Sequence, residues 1–189
     1  MNHFQKSKYI ILDVSADFQL VILSTSEKII DIKTNLIKKN FVSQMVVLIS
    51  NILKDNNFFL RDLAGIIVGI GPGSYVGSRL AVLTSKFLSL ELKIPLFKIS
   101  SLILLSSGYK ENKITPMIYA KNNFFYSLSL ENKKIILSEN IYEKIFLDNF
   151  ENHLLLGSQK FNISVSEIFI HMKKVKNIYF LTPNYYIHY

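Results

Sequence analysis

Gly71-Pro72-Gly73-Ser74-Tyr75-Val76-Gly77-Ser78-Arg79 is the stretch of this sequence that decides its fold. It follows the apolar run of residues 66–70 and precedes a segment whose apolar residues recur at helical spacing, which indicates a strand, a glycine turn and a helix. Glycine permits positive φ and a close approach of the backbone, and Pro72 fixes one φ between two glycines. A turn of this kind at the end of a buried strand is where α/β proteins bind ligands or dock partners.

The turn does not identify a ligand by its chemistry alone. Its glycines lack the G-x-G-x-x-G spacing of dinucleotide-binding turns, and no Lys-Ser or Lys-Thr follows Gly77 as it would in a phosphate-binding P-loop. A tight connection between a strand and a helix, with no ligand at all, is the plain alternative. The turn therefore predicts an α/β arrangement and leaves the ligand open.

The turn from Gly71 to Arg79 closely resembles the GPGSFTGxR turn of the bacterial TsaB (YeaZ) family. Residues 9–15 are similar to the family's opening strand, and Ser100-Ser101-Leu102 is similar to the end of a later strand. In the helix after the turn, Gly77, Arg79 and Lys86 match the family pattern. The resemblance covers roughly residues 8–108 and thins beyond them, where Pro183-Asn184-Tyr185 is similar to the family's closing P-x-Y.

The resemblance implies an α/β, actin-like (RNase H-like, ASKHA superfamily) fold with two lobes and a reduced second lobe. Strand patterns over residues 8–13, 19–23 and 28–33 agree, because two closely spaced strands after a central one open an RNase H-like sheet. We expect residues 1–108 to form the N-terminal lobe that carries the turn. Residues 109–189 are expected to form a shortened, strand-rich C-terminal lobe.

Composition predicts a soluble, cytoplasmic protein that does not enter a membrane. The 189 residues are 49% apolar and include no cysteine, which fits a reducing compartment. No run approaches the roughly 20 apolar residues of a membrane span, and Asp13 interrupts the apolar N-terminal stretch, so a signal peptide is not expected. The net charge of +8 is spread over both halves and allows a polyanionic partner without requiring one. No cluster of Lys and Arg with interleaved aromatic residues is identified as a stand-alone RNA site.

Two helices are the predicted partner-binding elements. The first covers residues 41–53, and its apolar arc is about 160° wide, which exceeds the ~100° that one core-facing side needs. Either this helix is deeply buried or its extra flank meets another protein. The residues predicted to bind a partner on it are Phe41, Met45, Leu48 and Ile52.

The second helix covers residues 77–92 and is apolar on two sides. We expect the stripe of Leu80, Leu83, Phe87 and Leu90 to pack on the sheet. The opposite ridge of small residues would let another helix approach closely, either the helix of residues 41–53 or a partner's helix. The residues of this ridge are Gly77, Ala81, Ser85 and Ser89.

Few residues suggest chemistry. Asp13 at the end of the first strand could join the turn in binding a nucleotide, but a lone aspartate there is usually a cap. The candidate nucleotide-binding residues are Asp13, Gly71, Gly73 and Ser74. No catalytic constellation is identified, and the four histidines lack the i,i+4 spacing of a metal site. We therefore expect no catalytic residue, no metal and no cofactor.

The resemblance implies a function in making threonylcarbamoyladenosine in tRNA. It implies a non-catalytic scaffold or activator subunit that pairs with a TsaD-type catalytic subunit through helices 41–53 and 77–92. A TsaE-type ATPase would join through the complex, tRNA would be contacted indirectly, and the chain alone would form a homodimer. Two alternatives remain open: an ATP-binding small-molecule kinase relative of the same superfamily, and a self-associating scaffold.

Overall fold

The computed structural model describes residues 7–186, and this part of the chain contains ten strands and five α-helices. The strands are β1 (Lys8–Asp13), β2 (Gln19–Ser24), β3 (Ile29–Asn35), β4 (Leu63–Gly69), β5 (Leu96–Ile99), β6 (Lys113–Lys121), β7 (Phe124–Glu131), β8 (Lys134–Glu143), β9 (His153–Leu155) and β10 (Lys173–Lys174). The helices are α1 (Phe41–Asp55), α2 (Tyr75–Leu92), α3 (Ser101–Ser106), α4 (Lys144–Leu147) and α5 (Val165–His171).

The larger sheet has the strand order β10-β5-β4-β1-β2-β3. β1, β2 and β3 are antiparallel neighbours, whereas β4 is parallel to both β1 and β5. β1, β2 and β4 are almost uninterrupted apolar runs because both faces of the sheet at these strands are covered. This order of strands, with the glycine turn leading from β4 into α2, confirms the predicted actin-like (RNase H-like) α/β fold.

The smaller sheet has the order β8-β7-β6-β9 and forms the reduced second lobe. A hairpin joins β6 to β7 through Asn122 and Asn123, whose φ angles are 48° and 65°. Asparagine tolerates this left-handed conformation better than most residues do, which is why the Lys-Asn-Asn sequence predicts a turn here. The third strand of this sheet, β8, follows β7 directly and extends from Lys134 to Glu143.

Two apolar cores lie on opposite faces of the larger sheet. Alternate residues of β1 divide between them, with Ile10 and Leu12 in one core and Ile11 in the other. The first core contains the buried sides of α1 and α2. The second core joins the larger sheet to α3, α5 and the smaller sheet, so the two lobes share it.

The chain returns to the larger sheet near its C-terminus. β10 pairs with β5, and the Val175 backbone N–H donates to the Leu96 carbonyl oxygen at 2.9 Å. Residues 173–186 therefore lie against the first lobe, although the predicted boundary assigns them to the second. The division into residues 1–108 and 109–189 stays a prediction. A two-residue strand carries no periodicity, so its pairing could not be predicted from its own sequence.

None of the helices within residues 7–186 combines the length and the apolar character that a membrane crossing would need.

Candidate functional site

Helices α1 and α2 lie side by side on one face of the larger sheet. Their buried residues form one core with residues of β1, β2 and β4. The two helices also contact each other. The two helices are therefore neighbours, and each has one side that faces outward.

On α1, the side predicted to meet a partner is buried. Phe41, Met45 and Ile52 are at most 8% exposed, and Leu48 packs against the same core. The prediction is wrong for these four residues because the wide apolar arc of α1 contains both the side that covers the sheet and a second side beside it. Val42 and Val46 on that second side are exposed, and so is Val47, which lies outside the arc.

On α2, the ridge of small residues is buried too, which reverses the predicted orientation of the helix. Ala81 and Ser85 are fully buried, and α2 contacts β4 and β1. A Cβ atom added to Gly77 would overlap the carbonyl oxygen of Val14, so this helix needs a small residue where it meets the end of β1. The assignment of the ridge to a partner is therefore wrong. The residues concerned are Gly77, Ala81, Ser85 and Ser89.

The opposite side of α2 carries large apolar residues that are exposed. Leu83 and Phe87, predicted to pack on the sheet, are 67% and 64% exposed. Leu90 and Val76 are exposed as well, and Leu80 is partly buried against the first core. Helical periodicity locates both stripes of α2, but it does not say which stripe touches the sheet.

Both helices carry exposed large apolar residues, which together we call the helix face: Val42, Val46, Val47, Val76, Leu83 and Phe87. A groove of about 660 Å³ runs between the helices, with Val46 on one wall and Phe87 on the other. Phe58 and Phe59 close the groove beyond the C-terminal end of α1. Large exposed apolar patches on soluble proteins mark sites of interaction, so the helix face is the candidate partner-binding surface.

The glycine turn is held against the end of β1. The Ser74 backbone N–H donates to the Ser15 carbonyl oxygen at 2.6 Å, and Ser74 Oγ accepts from the Gly77 N–H at 3.1 Å, which caps α2. Gly71 and Gly73 have φ angles of +87° and +151°, and a Cβ atom on Gly73 would overlap the Ser15 carbonyl oxygen. Positive φ therefore accounts for both glycines, and at Gly73 the close approach of the Ser15 backbone also requires glycine.

Asp13 lies beneath the turn and is only 1% exposed. Its carboxylate accepts hydrogen bonds from the Ser15 N–H at 2.9 Å, from Ser15 Oγ at 2.6 Å and from Ser101 Oγ. Burial raises the pKa of Asp13 above its usual value, and these three hydrogen bonds oppose the rise. Ser101 Oγ also accepts from the Gly71 N–H at 2.9 Å, so Asp13 ties the turn to β1 and α3.

The four predicted nucleotide-binding residues do come together around the turn. Asp13 and Gly71 share Ser101 as a hydrogen-bond partner, and Gly73 and Ser74 both contact Ser15. All of these contacts are made to the protein itself. A role of these residues in nucleotide binding stays a prediction.

Residues 173–186, which we call the C-terminal segment, run beside α2. Arg79 Nε donates to the Tyr185 hydroxyl at 2.8 Å, and the Arg79 guanidinium lies 3.8 Å from the centre of the Tyr75 ring. Lys86 Nζ donates to two backbone carbonyl oxygens of the segment, at 2.9 Å and 3.3 Å. Arg79 and Lys86 are two of the residues of α2 that match the family pattern, and the structure shows that both bind the C-terminal segment. Sequence reasoning missed this contact.

Glu139 of β8 joins the second lobe to the C-terminal segment. Its carboxylate accepts hydrogen bonds from Asn184 Nδ2 and from the Tyr186 hydroxyl, each at 3.0 Å, and from Ser100 Oγ. The pKa of Tyr186 is raised well above its usual range, mainly by burial and also by the charge and the hydrogen bond of Glu139. The sequence gives no signal for Glu139, because a lone acid in a strand usually faces solvent.

Within residues 7–186, no three His, Cys, Asp or Glu side chains are grouped closely enough to hold a metal ion. The described histidines have other neighbours. His153 contacts the Leu147 carbonyl oxygen at 2.8 Å, and His171 lies 4.0 Å from Glu167. His3 and His188 lie outside the described residues.

Comparison with known proteins gives a consistent family. A family model described as TsaD, tRNA N6-adenosine threonylcarbamoyltransferase, matches residues 27–180. The TsaB protein of Buchnera aphidicola subsp. Schizaphis graminum, a tRNA threonylcarbamoyladenosine biosynthesis protein, is 31% identical over 114 residues, which cover 58% of this chain and 54% of the relative. The TsaB protein of Bacillus subtilis is 30% identical over 105 residues, which cover 54% of this chain and 46% of the relative. The chain thus spans about half the length of these relatives.

Solved structures agree on the fold. YeaZ from Pseudomonas aeruginosa superposes with a TM-score of 0.60 at 21% identity, over 72% of this chain and 66% of that chain. A crystal structure described as having similarity to peptidase YeaZ, from Pseudomonas aeruginosa, gives a TM-score of 0.73 at 16% identity, over 95% of this chain and 99% of that chain. The family model covers more than half of the chain, the curated relatives carry the TsaB name, and the lobes have the YeaZ fold. The chain therefore belongs to the TsaB/YeaZ family, within the group of proteins that the TsaD family model describes.

Proposed function

We propose that this chain is a non-catalytic scaffold or activator subunit in the biosynthesis of threonylcarbamoyladenosine in tRNA. It pairs with a TsaD-type catalytic subunit through the helix face. Its family supports the pathway, because the curated relatives are named for this biosynthesis. The single observation that carries the pairing is the helix face itself, a row of large apolar side chains left exposed on two adjacent helices.

The shape of the helix face suits another pair of helices. The groove between α1 and α2 is open to solvent and lined by Val46, Phe87 and Leu53, so a ridge of side chains from a partner helix can enter it. Removing a Leu or Phe side chain from water contributes about 1.5–3 kcal/mol. Leu83 and Phe87 are therefore the expected hot spots of the interface.

A non-catalytic role is supported by the state of the glycine turn. Asp13 is buried and accepts three hydrogen bonds from serines, and the turn lacks the lysine that a P-loop uses. We expect calorimetry with ATP and Mg²⁺ to detect no tight binding by the isolated chain. A dissociation constant below about 10 μM, near −7 kcal/mol, would contradict this and favour the ATP-binding kinase relative.

The other partners are proposed to join through the complex. A TsaE-type ATPase would bind the assembled pair, and the tRNA would be modified at the active site of the TsaD-type subunit. The whole assembly would work in the cytoplasm.

Co-expression with a TsaD-type catalytic subunit, followed by size-exclusion chromatography with light scattering, tests the pairing. We expect the wild-type chain to co-elute and the Leu83→Asp/Phe87→Asp variant to lose at least about 100-fold in affinity, since each hot spot contributes about 2 kcal/mol or more. The matched control is Ile135→Asp/Ile136→Asp, which changes two exposed apolar residues of β8 away from the helices. Equal pairing by the two variants would contradict the helix face as the interface.

The chain alone is expected to form a homodimer through the same helix face, because closed two-fold pairing is the simplest way to cover it. Light scattering over a concentration series measures this, and the Leu83→Asp/Phe87→Asp variant should be monomeric. A homodimer that persists when the TsaD-type subunit is present would favour the self-associating scaffold. A stable monomer at high concentration would contradict the homodimer.

A further inference from the structure

The C-terminal segment and the adjoining side of α2 form a surface that is rich in cations and aromatic rings. We call it the basic strip. Its cations are Arg79, Lys86, Lys93, Lys98, Lys173, Lys174 and Lys176, of which Lys173 and Lys174 project from opposite faces of the edge strand β10. Its rings are Tyr75, Tyr179, Phe180 and Tyr185, all of which are exposed.

The positive charge of the basic strip is not neutralised by the protein. Within the described residues, no ion pair involves any of its seven cations. Arg79 and Lys86 donate to a hydroxyl and to carbonyl oxygens, which are neutral acceptors. The acids at its margins are Glu91 near the end of α2 and Glu139, which already accepts three hydrogen bonds.

The pairing of β10 with β5 adds a like-charge contact to the strip. Lys173 lies directly opposite Lys98 in the antiparallel register, so their side chains project from the same face of the sheet. Like charges placed directly opposite each other destabilise a pair of strands. Residues 168–186 contain no acid that could relieve the repulsion, and a bound polyanion would relieve it.

The rings of the strip are unusually exposed for their size. Tyr179 and Phe180 are 73% and 81% exposed, although they are adjacent in sequence and follow three lysines within seven residues. Burial in this chain does not account for them. Exposed rings beside cations provide stacking surfaces for unpaired bases, whose phosphates the cations then bind.

We propose that the basic strip binds a single-stranded loop of RNA, with Tyr179 and Phe180 stacking on bases and Lys173, Lys174 and Lys176 contacting phosphates. The preference for RNA over another polyanion rests on the proposed function, in which the substrate is a tRNA. Unpaired loops are the part of an RNA that proteins recognise through stacking.

The basic strip and the helix face are separate surfaces of α2. The side chains of α2 that line the groove toward α1 are Thr84, Phe87 and Leu88, whereas Arg79 and Lys86 reach the C-terminal segment. A protein on the helix face and an RNA on the basic strip can therefore be bound together. The proposed direct contact with RNA differs from the expectation that tRNA is contacted only indirectly. The sequence does not suggest it because Lys173 and Lys98 are far apart in sequence, and only the pairing of β10 with β5 brings them together.

Fluorescence anisotropy with a labelled anticodon stem-loop RNA and the full chain, over a series of salt concentrations, tests the cations. For Lys173→Ala/Lys174→Ala/Lys176→Ala, we expect the slope of log K against log salt to fall in magnitude by about 2, since each phosphate contact in a single strand contributes about 0.7. The matched control is Lys121→Ala/Lys134→Ala/Lys160→Ala, which removes three exposed lysines elsewhere. Equal losses in the two triple variants would show a net-charge effect and overturn the proposal.

The same assay tests the rings. We expect Tyr179→Ala/Phe180→Ala to lower the affinity about 10-fold or more with little change in the salt slope, because stacking does not release counterions. Tyr119→Ala, which removes an exposed ring from β6, should leave the affinity unchanged. An aromatic variant that binds like the wild type overturns the proposal, as does a wild-type chain that does not bind the RNA.

Pairing assays on the same variants separate this proposal from the proposed function. We expect both strip variants to keep their pairing with the TsaD-type subunit. Loss of pairing with unchanged RNA affinity would make the strip a protein-docking surface and overturn the RNA proposal alone. RNA binding through the strip by a chain that never pairs would support the strip and contradict the proposed partner.

Discussion

The two sides of α2 differ in a way that reverses the usual expectation. The side with small residues is buried against the sheet, and the side with Leu83 and Phe87 is exposed, although burial stabilises large apolar side chains most. The reason is the short distance between α2 and the sheet. The turn is held to β1 by the hydrogen bond from Ser74 to Ser15, so α2 begins too close to the sheet for large side chains to fit beneath it. Large residues left outside such a tight contact indicate a surface that another molecule covers.

The largest effect should come from placing a ring on the buried side of α2. Ala81→Phe inserts a ring where Ala81 is fully buried, and we expect a loss of about 3 kcal/mol in the free energy of unfolding, or no stable fold. The control Leu83→Phe adds the same ring on the exposed side and should change stability by less than about 0.5 kcal/mol. Urea unfolding measures both. Similar losses in the two variants would contradict the orientation of α2.

The next largest effect on stability concerns Asp13, which lies beneath the glycine turn at the N-terminal end of α2. Its pKa is raised in the folded state by burial, so its contribution to stability is fully present below the unfolded pKa and is lost as the pH rises through the folded pKa. The Asp13→Asn variant cannot titrate. We therefore expect its stability relative to the wild type to increase as the pH rises from about 4 to about 8, as measured by urea unfolding. A difference that does not vary with pH would show that Asp13 is not desolvated.

Two serines on the buried side of α2 differ in their hydrogen bonding. Ser85 Oγ finds no hydrogen-bond partner among residues 7–186, whereas Ser89 Oγ donates to the Ile94 carbonyl oxygen at 2.6 Å. Because an unpaired buried hydroxyl costs about 1–3 kcal/mol, Ser85→Ala should stabilise the chain by about 1 kcal/mol. Ser89→Ala should destabilise it by a similar amount. Thermal melts of the two variants should shift in opposite directions, and a shift of the same sign in both would contradict the assigned hydrogen bonding.

The smallest effect is expected where α2 meets the C-terminal segment. Tyr185→Phe removes the hydroxyl that accepts from Arg79 and keeps the ring that packs 5.2 Å from Tyr75, centre to centre. This contact is exposed, so we expect a loss of about 0.5 kcal/mol in the free energy of unfolding. Arg79→Ala, which removes both the hydrogen bond and the stacking on Tyr75, should cost more. Urea unfolding compares the two, and equal costs would show that the stacking contributes nothing.

The sequence predicts the fold well where the pattern is long. The strand, turn and helix around Gly71 are in place, and the predicted helices differ from α1 and α2 by no more than two residues at each end. The orientation of α2 could not be predicted, because its two sides have the same helical period and differ only in side-chain size. Size alone favours burying Phe87, and the distance set by the turn overrides that preference.

In the candidate site, too, the sequence pattern does not show which side of a helix is buried. On α1, burial of Met45 and exposure of Val46 depend on which side the sheet approaches, and neighbouring positions of similar hydrophobicity give no signal. The C-terminal segment did carry a signal, since three lysines and four aromatic residues fall within residues 173–186. The structure shows where these residues lie: Lys173 pairs with Lys98 of β5, and Arg79 and Lys86 connect the segment to α2.

The return of β10 to the larger sheet has a consequence for synthesis on the ribosome. The strands β1 to β5 and helices α1 and α2 are translated first, but the edge of β5 stays unpaired until residues 173–174 have left the exit tunnel. At about 5–20 residues per second, translation of the intervening residues takes roughly 4–15 seconds. During that interval the nascent lobe exposes a strand edge beside the helix face, so it is the stage at which the growing chain most needs a chaperone or an early partner.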